Sequence, residues 1–290
     1  MRRLIINADD FGLTSGVNRA IAEAGRAGAI TSATIMANAR AFPEAVNVAK
    51  SVAQLKTGCH VVLIDGEPVA RDLPSLTLPY SIKETPSFRS SLKKFASAAV
   101  RKQIRVDEIQ REVEAQIRKI QGSGITLTHV DSHKHTHIFP HVLRPVLRAA
   151  KGCGVRAVRN PFEPMQSWPG RLVMSLPGMW LRAAGVAGFQ MFAAAFQRAV
   201  REEGMKTTDG TVGIAFTGKL DQKALSAILE ALPEGTWELV CHPGYSDADL
   251  HAAGTRLTQS RETELAALTS EETRSLISRQ GIELISYAEL

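Results

Sequence analysis

The chain has 290 residues, 44% of them hydrophobic and 22% charged, with a formal net charge of +6 and three cysteines. Those proportions belong to a globular protein and exclude a collagen-like, disordered or disulfide-scaffold chain. The basic excess admits an anionic partner. With no zinc-finger spacing and no aromatic-interleaved basic platform, however, nucleic acid is not expected.

The first element is a strand over 3–8, whose apolar run ends at the paired acids of "NADDFG". It starts where a secretory leader would need a cationic and then an apolar region, and no later run is long enough to span a bilayer, so the expected location is cytoplasmic. A helix near 16–27 leads to a strand at "ITSATIMAN" (30–38), a helix at 43–54 and a strand at "GCHVVLI" (58–64). Residues 65–100, rich in Pro, Ser and charge, read as an excursion. Lys93, Lys94, Arg101, Lys102 and Arg105 read as a solvated helix face. Val106, Ile109, Val113, Ile117 and Ile120 then recur at helical spacing over 105–121. Strands follow at "LTHVDSH" (127–133), "VRAVRN" (155–160), "GTVGIAF" (210–216), "WELVCH" (237–242) and "IELISY" (282–287). The helices between them fall near 141–151, 221–231, 260–267 and 270–280.

This alternation predicts parallel strands with crossover helices in one domain over 1–290, folded as a distorted parallel (β/α) barrel of about seven strands. The helical insertion at 161–208, sparse in charge and rich in Met, Phe and Trp, reads either as a buried hairpin or as an apolar lip beside the site. Such a lip would suit a greasy substrate or peripheral membrane contact. The sequence equally admits a homo-oligomer. Cys59 and Cys241 should face the core, because each precedes a strand-end histidine.

The chemistry lies at the strand ends. Asp9 and Asp10 close the first strand, His60 the third, His129, Asp131 and His133 the fourth, Arg159 and Asn160 the fifth, and His242 a late one. In a parallel barrel these ends converge on one mouth. One carboxylate and two imidazoles make a three-ligand divalent site, and a metal would neutralise the paired aspartates. One aspartate would bind the ion while its neighbour acts as general base, and His242 would protonate the leaving group. Arg159 would orient a carboxylate or meet a substrate oxygen. Strand alternation puts His129, Asp131 and His133 on one face, with His133 favoured as ligand and Asp131 behind it. His135 and His137 lie beyond, as loop residues or substrate contacts. No phosphate loop, HExxH helix or GxSxG elbow is present.

"NADDFG", "TSATIMANA", "GCHVVL", "HVDSHKHTHIFP" and "CHPGY", in this order, resemble the YdjC-like carbohydrate deacetylases. The resemblance implies a polysaccharide-deacetylase-like barrel with metal ligands at Asp10, His60 and His133, a catalytic base at Asp9 and a proton donor at His242. The substrate contacts would be Arg159 and His137, and the ion Zn²⁺ or Mg²⁺. "GCHVVLIDGEPV", "VRAVRNPFEP" and "GTRLTQSRETELAALTSEETRSLI" further resemble the hopanoid-biosynthesis-associated deacetylases called HpnK, which implies an N-acetylglucosaminyl hopanoid as substrate. Lys134 stands where the chitooligosaccharide-deacetylating relatives often carry another histidine, which leaves a soluble chitooligosaccharide as the alternative substrate. A metal-dependent phosphoesterase or a non-catalytic glycolipid-binding protein are the other readings. The metal reading requires Asp10, His60 and His133 to converge so that one ion lies about 2.0–2.3 Å from each.

Overall fold

A computed structural model describes residues 1–78, 86–163 and 178–290. Eight strands form one sheet: β1 (Arg2–Phe11), β2 (Ser32–Ile35), β3 (Lys56–Val61), β4 (Leu127–Ser132), β5 (Ala157–Val158), β6 (Gly210–Val212), β7 (Gly235–Cys241) and β8 (Ile282–Leu284). Their order is β5-β4-β3-β2-β1-β7-β6, and every named pair is parallel. The seven-strand cycle is therefore kept, curled and open between β5 and β6. β8 shares the edge of β1 with β2, pairing Arg2–Leu4 while β2 takes residues from Asn7 onward.

The open seam lies where the chain makes its excursion at 161–208. It is stitched by irregular bonds rather than by a ladder. Val158 N donates to Lys206 O, Lys206 N to Arg156 O, and Thr211 N to Phe162 O. Asn160 Nδ2 reaches the carbonyls of Thr208 and Asp209.

Alternation sorts side chains between two cores. Leu4, Ile6 and Ala8 on β1, Cys59 on β3, Val130 on β4, and Leu239 and Cys241 on β7 point outward into the helical layer. Inward, Ile5, Ala157, Ile285 and Tyr287 form a small apolar floor. Asn7, Asp9, His60, His129, Asp131, Arg159 and Glu238 are all at most 3% exposed, and above that floor the barrel is filled with polar groups. Cys59 and Cys241 thus face the core, as expected from their places in the strands.

The helices α1 (Ser15–Arg26), α2 (Phe42–Ser51), α3 (Leu92–Val100), α4 (Val106–Gly122) and α5 (Pro140–Gly152) follow the predicted periodicities closely. On α4, Ile109, Val113, Ile117 and Ile120 are buried, while Val106 at its first turn is 39% exposed. A second stripe, Glu108, Glu112 and Gln116, is also buried. Glu112 accepts the amides of Val69 and Ala70, Glu108 accepts the amide and hydroxyl of Ser75, and Gln116 bonds both backbone groups of Val62. These bonds satisfy backbone groups of an irregular segment that no ladder serves. Lys93, Lys94, Arg101, Lys102 and Arg105 are all exposed, but only Lys93 and Lys94 lie on a helix; the other three sit in the connection between α3 and α4. Residues 79–85 and 164–177, including the first part of the expected apolar lip, lie outside the described residues. No described helix is long and apolar enough to cross a membrane.

One close approach ties the floor to β3. The His129 ring stacks on Tyr287, with centroids 3.8 Å apart and planes 12° from parallel, and its other face lies against Gly58. A Cβ at Gly58 would fall within the His129 ring's van der Waals envelope. Gly58→Ala should therefore cost about 1–3 kcal/mol through overpacking. Urea unfolding followed by circular dichroism measures it, and an unchanged midpoint would refute this packing account.

Candidate active site

Two consecutive strand residues normally face opposite ways, yet Asp9 and Asp10 both serve one mouth. The register between β1 and β2 shifts between Ala8 and Phe11, placing an extra residue on β1. Asp10 there takes φ +63°, a left-handed conformation that is uncommon for a non-glycine residue. The bulge turns its carboxylate inward beside that of Asp9. Strain of this kind concentrates at functional sites.

Asp10, His60 and His133 converge. Asp10 Oδ1 lies 3.6 Å from His60 Nε2 and 3.3 Å from His133 Nδ1, and the two ring nitrogens are 3.3 Å apart. An ion bound tetrahedrally at about 2.1 Å has donors about 3.4 Å from one another, so the spacing fits one small divalent cation. Each imidazole is backed by a carboxylate on its far nitrogen, Asp131 at 2.8 Å from His60 Nδ1 and Asp65 at 3.6 Å from His133 Nε2. This arrangement orients a ligating histidine. Burial opposes a charged His133, but Asp10 and Asp65 raise it to about 9, so these carboxylates draw positive charge to this point. Lys134, with Nζ 2.5 Å from Asp65, adds a further cation at the rim.

Of the two roles expected of Arg159, the geometry fits that of orienting carboxylates. Arg159 is wholly buried, with Nη1 2.8 Å from Asp9 Oδ2 and 2.6 Å from Asp131 Oδ2, Nη2 2.6 Å from Asp9 Oδ1, and Nε 2.9 Å from Glu238 Oε1. Burial alone would raise the Asp9 carboxyl, but Arg159 holds it well below the usual carboxylate range. Asp9, His60 and Asp131 form a second triad of metal-ligating types, but the guanidinium already bridges its two carboxylates. No second ion site is open there.

His137 likewise lies away from the mouth. It is buried, with Nδ1 2.5 Å from Ser132 Oγ and Nε2 3.2 Å from the Arg159 carbonyl. Burial lowers it to about 3, so it is a neutral strut between β4 and β5. His135, two residues before it, is only partly exposed. It takes φ +52°, and its Nδ1 has no partner. His129 is a core residue under Tyr287. His242 is 12% exposed in its side chain and faces the opening, with Nε2 4.0 Å from Asp9 Oδ2.

Five further neighbours of the site were not singled out by the sequence, although all but Glu238 lie within stretches that carry the family resemblance. Thr34 bonds both Asp9 and Asp131, and Asp65 backs His133. Glu238 anchors Arg159, Arg261 lies on Asp10, and Glu264 receives the His242 amide at 2.6 Å. Glu238 alternates with Val240 and His242 along β7, a signal that strand periodicity carries. Arg261 and Glu264 come from a helix, Gln259–Thr269, with little amphipathic pattern, inside the "GTRLTQSRETELAALTSEETRSLI" stretch, whose resemblance gives no role to either residue.

The family described as YdjC-like protein matches residues 3–279 of the chain. A carbohydrate deacetylase of Brevibacillus brevis is 33% identical over 289 residues, covering 99% of both chains. One of Geobacillus stearothermophilus is 32% identical, covering 99% of this chain and 98% of the relative. A mouse carbohydrate deacetylase is 29% identical, covering 99% and 94%. Among solved structures, one from Enterococcus faecalis V583, named for a proposed role in cellobiose-phosphate cleavage, superposes with a TM-score of 0.78 at 24% identity over 99% and 98% of the two chains. That likeness bears on the fold.

Burial raises Glu264 to about 7, outweighing the His242 amide and Arg261. The folded state therefore holds this proton more tightly than the unfolded chain. Its stabilisation is full below about pH 4.5 and is lost as pH rises towards 7. The loss across that window should be roughly 3 kcal/mol. Glu264→Gln should lack that slope, and urea midpoints of both proteins across the same pH range measure the difference. Parallel curves would refute the assignment.

Proposed function

Because the chain belongs to the YdjC-like family, we propose that it is a carbohydrate deacetylase that hydrolyses the acetamide of an N-acetylated amino sugar, releasing acetate and the free amine. The observation that carries this reading is an ionised Asp9, locked by Arg159, beside the Asp10, His60 and His133 donors and across from His242. When bound by those three side chains, a divalent ion, Zn²⁺ or Mg²⁺, supplies Lewis acidity to the amide carbonyl and lowers the pKa of water.

The chain's own groups manage the protons. Asp9 Oδ2 accepts a proton from the attacking water, while Arg159 keeps the carboxylate aimed and the barrel interior keeps bulk water out. Burial lowers His242 to about 4, so the imidazole is neutral at rest and takes up a proton only after water has been deprotonated. At 4.0 Å from Asp9, it collects that proton and delivers it to the departing nitrogen. The phosphoesterase alternative wants a second ion, and Arg159 fills the place where one would sit. A silent binding protein would have no need of the full proton-handling set.

For the finer substrate, the favoured reading is an N-acetylglucosaminyl lipid of the hopanoid type, with a chitooligosaccharide as the alternative. Leu181, Phe189 and Met191 are 58%, 39% and 77% exposed, an apolar group at 181–191. Phe189 packs edge-on at 6.3 Å against Phe139, which also contacts Phe95 of α3. The exposed Lys93 and Lys94 on that helix suit an anionic membrane surface.

Acetate release from an N-acetylglucosaminyl lipid and from a chitooligosaccharide tests both levels. Chelation should abolish release and Zn²⁺ or Mg²⁺ should restore it. Asp9→Asn should lower kcat by about a hundred- to ten-thousandfold with KM little changed. Absence of acetate from either substrate with metal present would overturn the reading. The pair Leu181→Ser and Met191→Ser should slow the lipid reaction alone, and equal rates on both substrates would discard the lipid.

A further inference from the structure

The Asp10 carboxylate is not free on both sides. Its Oδ1 faces His60 and His133, while its Oδ2 lies 2.5 Å from Nη2 of Arg261. Arg261 is wholly buried and reaches this point from the helix Gln259–Thr269. Its Nε donates to the Leu257 carbonyl at 2.9 Å, in the turn that leads into that helix, so the side chain is aimed by the adjoining backbone and not by Asp10 alone. Its stem passes Gly244 of the "CHPG" turn, where a Cβ would press on Arg261 Cδ at 2.9 Å, and Gly244 N donates to the Arg261 carbonyl. The channel for this arginine is therefore part of the same turn that presents His242.

Resting on the reading of Asp10, His60 and His133 as holders of a divalent ion, we propose that Arg261 is a positioning residue that keeps Asp10 a one-oxygen ligand and so tunes the site towards a small ion of low coordination number. A carboxylate whose second oxygen is held by a guanidinium cannot close on an ion with both oxygens. Two imidazole nitrogens and one oxygen suit four-coordinate Zn²⁺. Ions that take six or more ligands with a preference for oxygen lose a donor they would otherwise gain from Asp10. The left-handed backbone at Asp10 and the buried guanidinium act together: the first points the carboxylate at the histidines, and the second settles which oxygen arrives.

The test is a competition titration of metal-free full-length protein with Zn²⁺ and with Mn²⁺ against a chromophoric chelator, with thermal melts alongside. The wild type should prefer Zn²⁺. In Arg261→Gln the ratio of Mn²⁺ to Zn²⁺ dissociation constants should fall about tenfold, and in Arg261→Lys, which keeps the charge on Oδ2, it should stay within about threefold of wild type. Should the glutamine variant fail to fold, Gly244→Ala displaces the arginine stem and should move the ratio in the same direction. An unchanged ratio, with both affinities intact or both weakened alongside a lower melting temperature, would overturn the inference while leaving the metal site standing. A wild type that binds neither ion would overturn the underlying reading as well.

Discussion

The interior of the barrel depends on the charge of Arg159. A guanidinium with no exposure to water is tolerable only if its donors meet acceptors, and here its three nitrogens lie 2.6–2.9 Å from oxygens of Asp9, Asp131 and Glu238. Reciprocally, three carboxylates drawn inside a parallel barrel would repel one another without it. One cation thus sets the position of the base Asp9 and, through Asp131, the ring orientation of His60. Removing one partner of such a buried set typically costs about 3–5 kcal/mol, so stability and catalytic geometry rest on the same contacts.

That cluster is supported from below. Glu238 is held by Arg159 on one oxygen and by the Tyr287 hydroxyl on the other, and Tyr287 in turn stacks on His129. The last turn of the chain is therefore the floor on which the polar column stands. From above, the left-handed Asp10 at the β1 bulge brings a further carboxylate inward, and Arg261 meets it from a distant helix. Cations placed at two levels leave one remaining concentration of negative charge, facing His60 and His133.

Function and architecture also meet at the open seam. Irregular bonds from Asn160 and Lys206 hold the edges while the chain departs between them. The other excursion is held by Glu108, Glu112 and Gln116 of α4, and this is how Asp65, at its start, stands behind His133.

The sequence by itself determined the elements and their kind. Periods of two and of three to four identified all eight strands and the principal helices, because burial of one face leaves that mark in any chain. Alternation put His129, Asp131 and His133 on one face, and the convergence of strand ends in a parallel barrel brought Asp9, Asp10, His60 and His242 to the same mouth, so the site's location and most of its members were legible. What only the tertiary structure decided is how neighbours divide the roles. A strict alternation would separate Asp9 from Asp10, and the bulge that reunites them depends on pairing with β2. His137 read as a loop residue or a substrate contact, and Arg159 as a substrate contact or an orienter of carboxylates; the ring is taken up by Ser132, and the guanidinium by Asp9, Asp131 and Glu238. Arg261 and Glu264 lie in a stretch whose resemblance gave them no role, and their roles come from contact with residues about 250 and 20 positions away. Periodicity is a local property of the chain, whereas the partner of a buried charge is set by which distant segment folds against it.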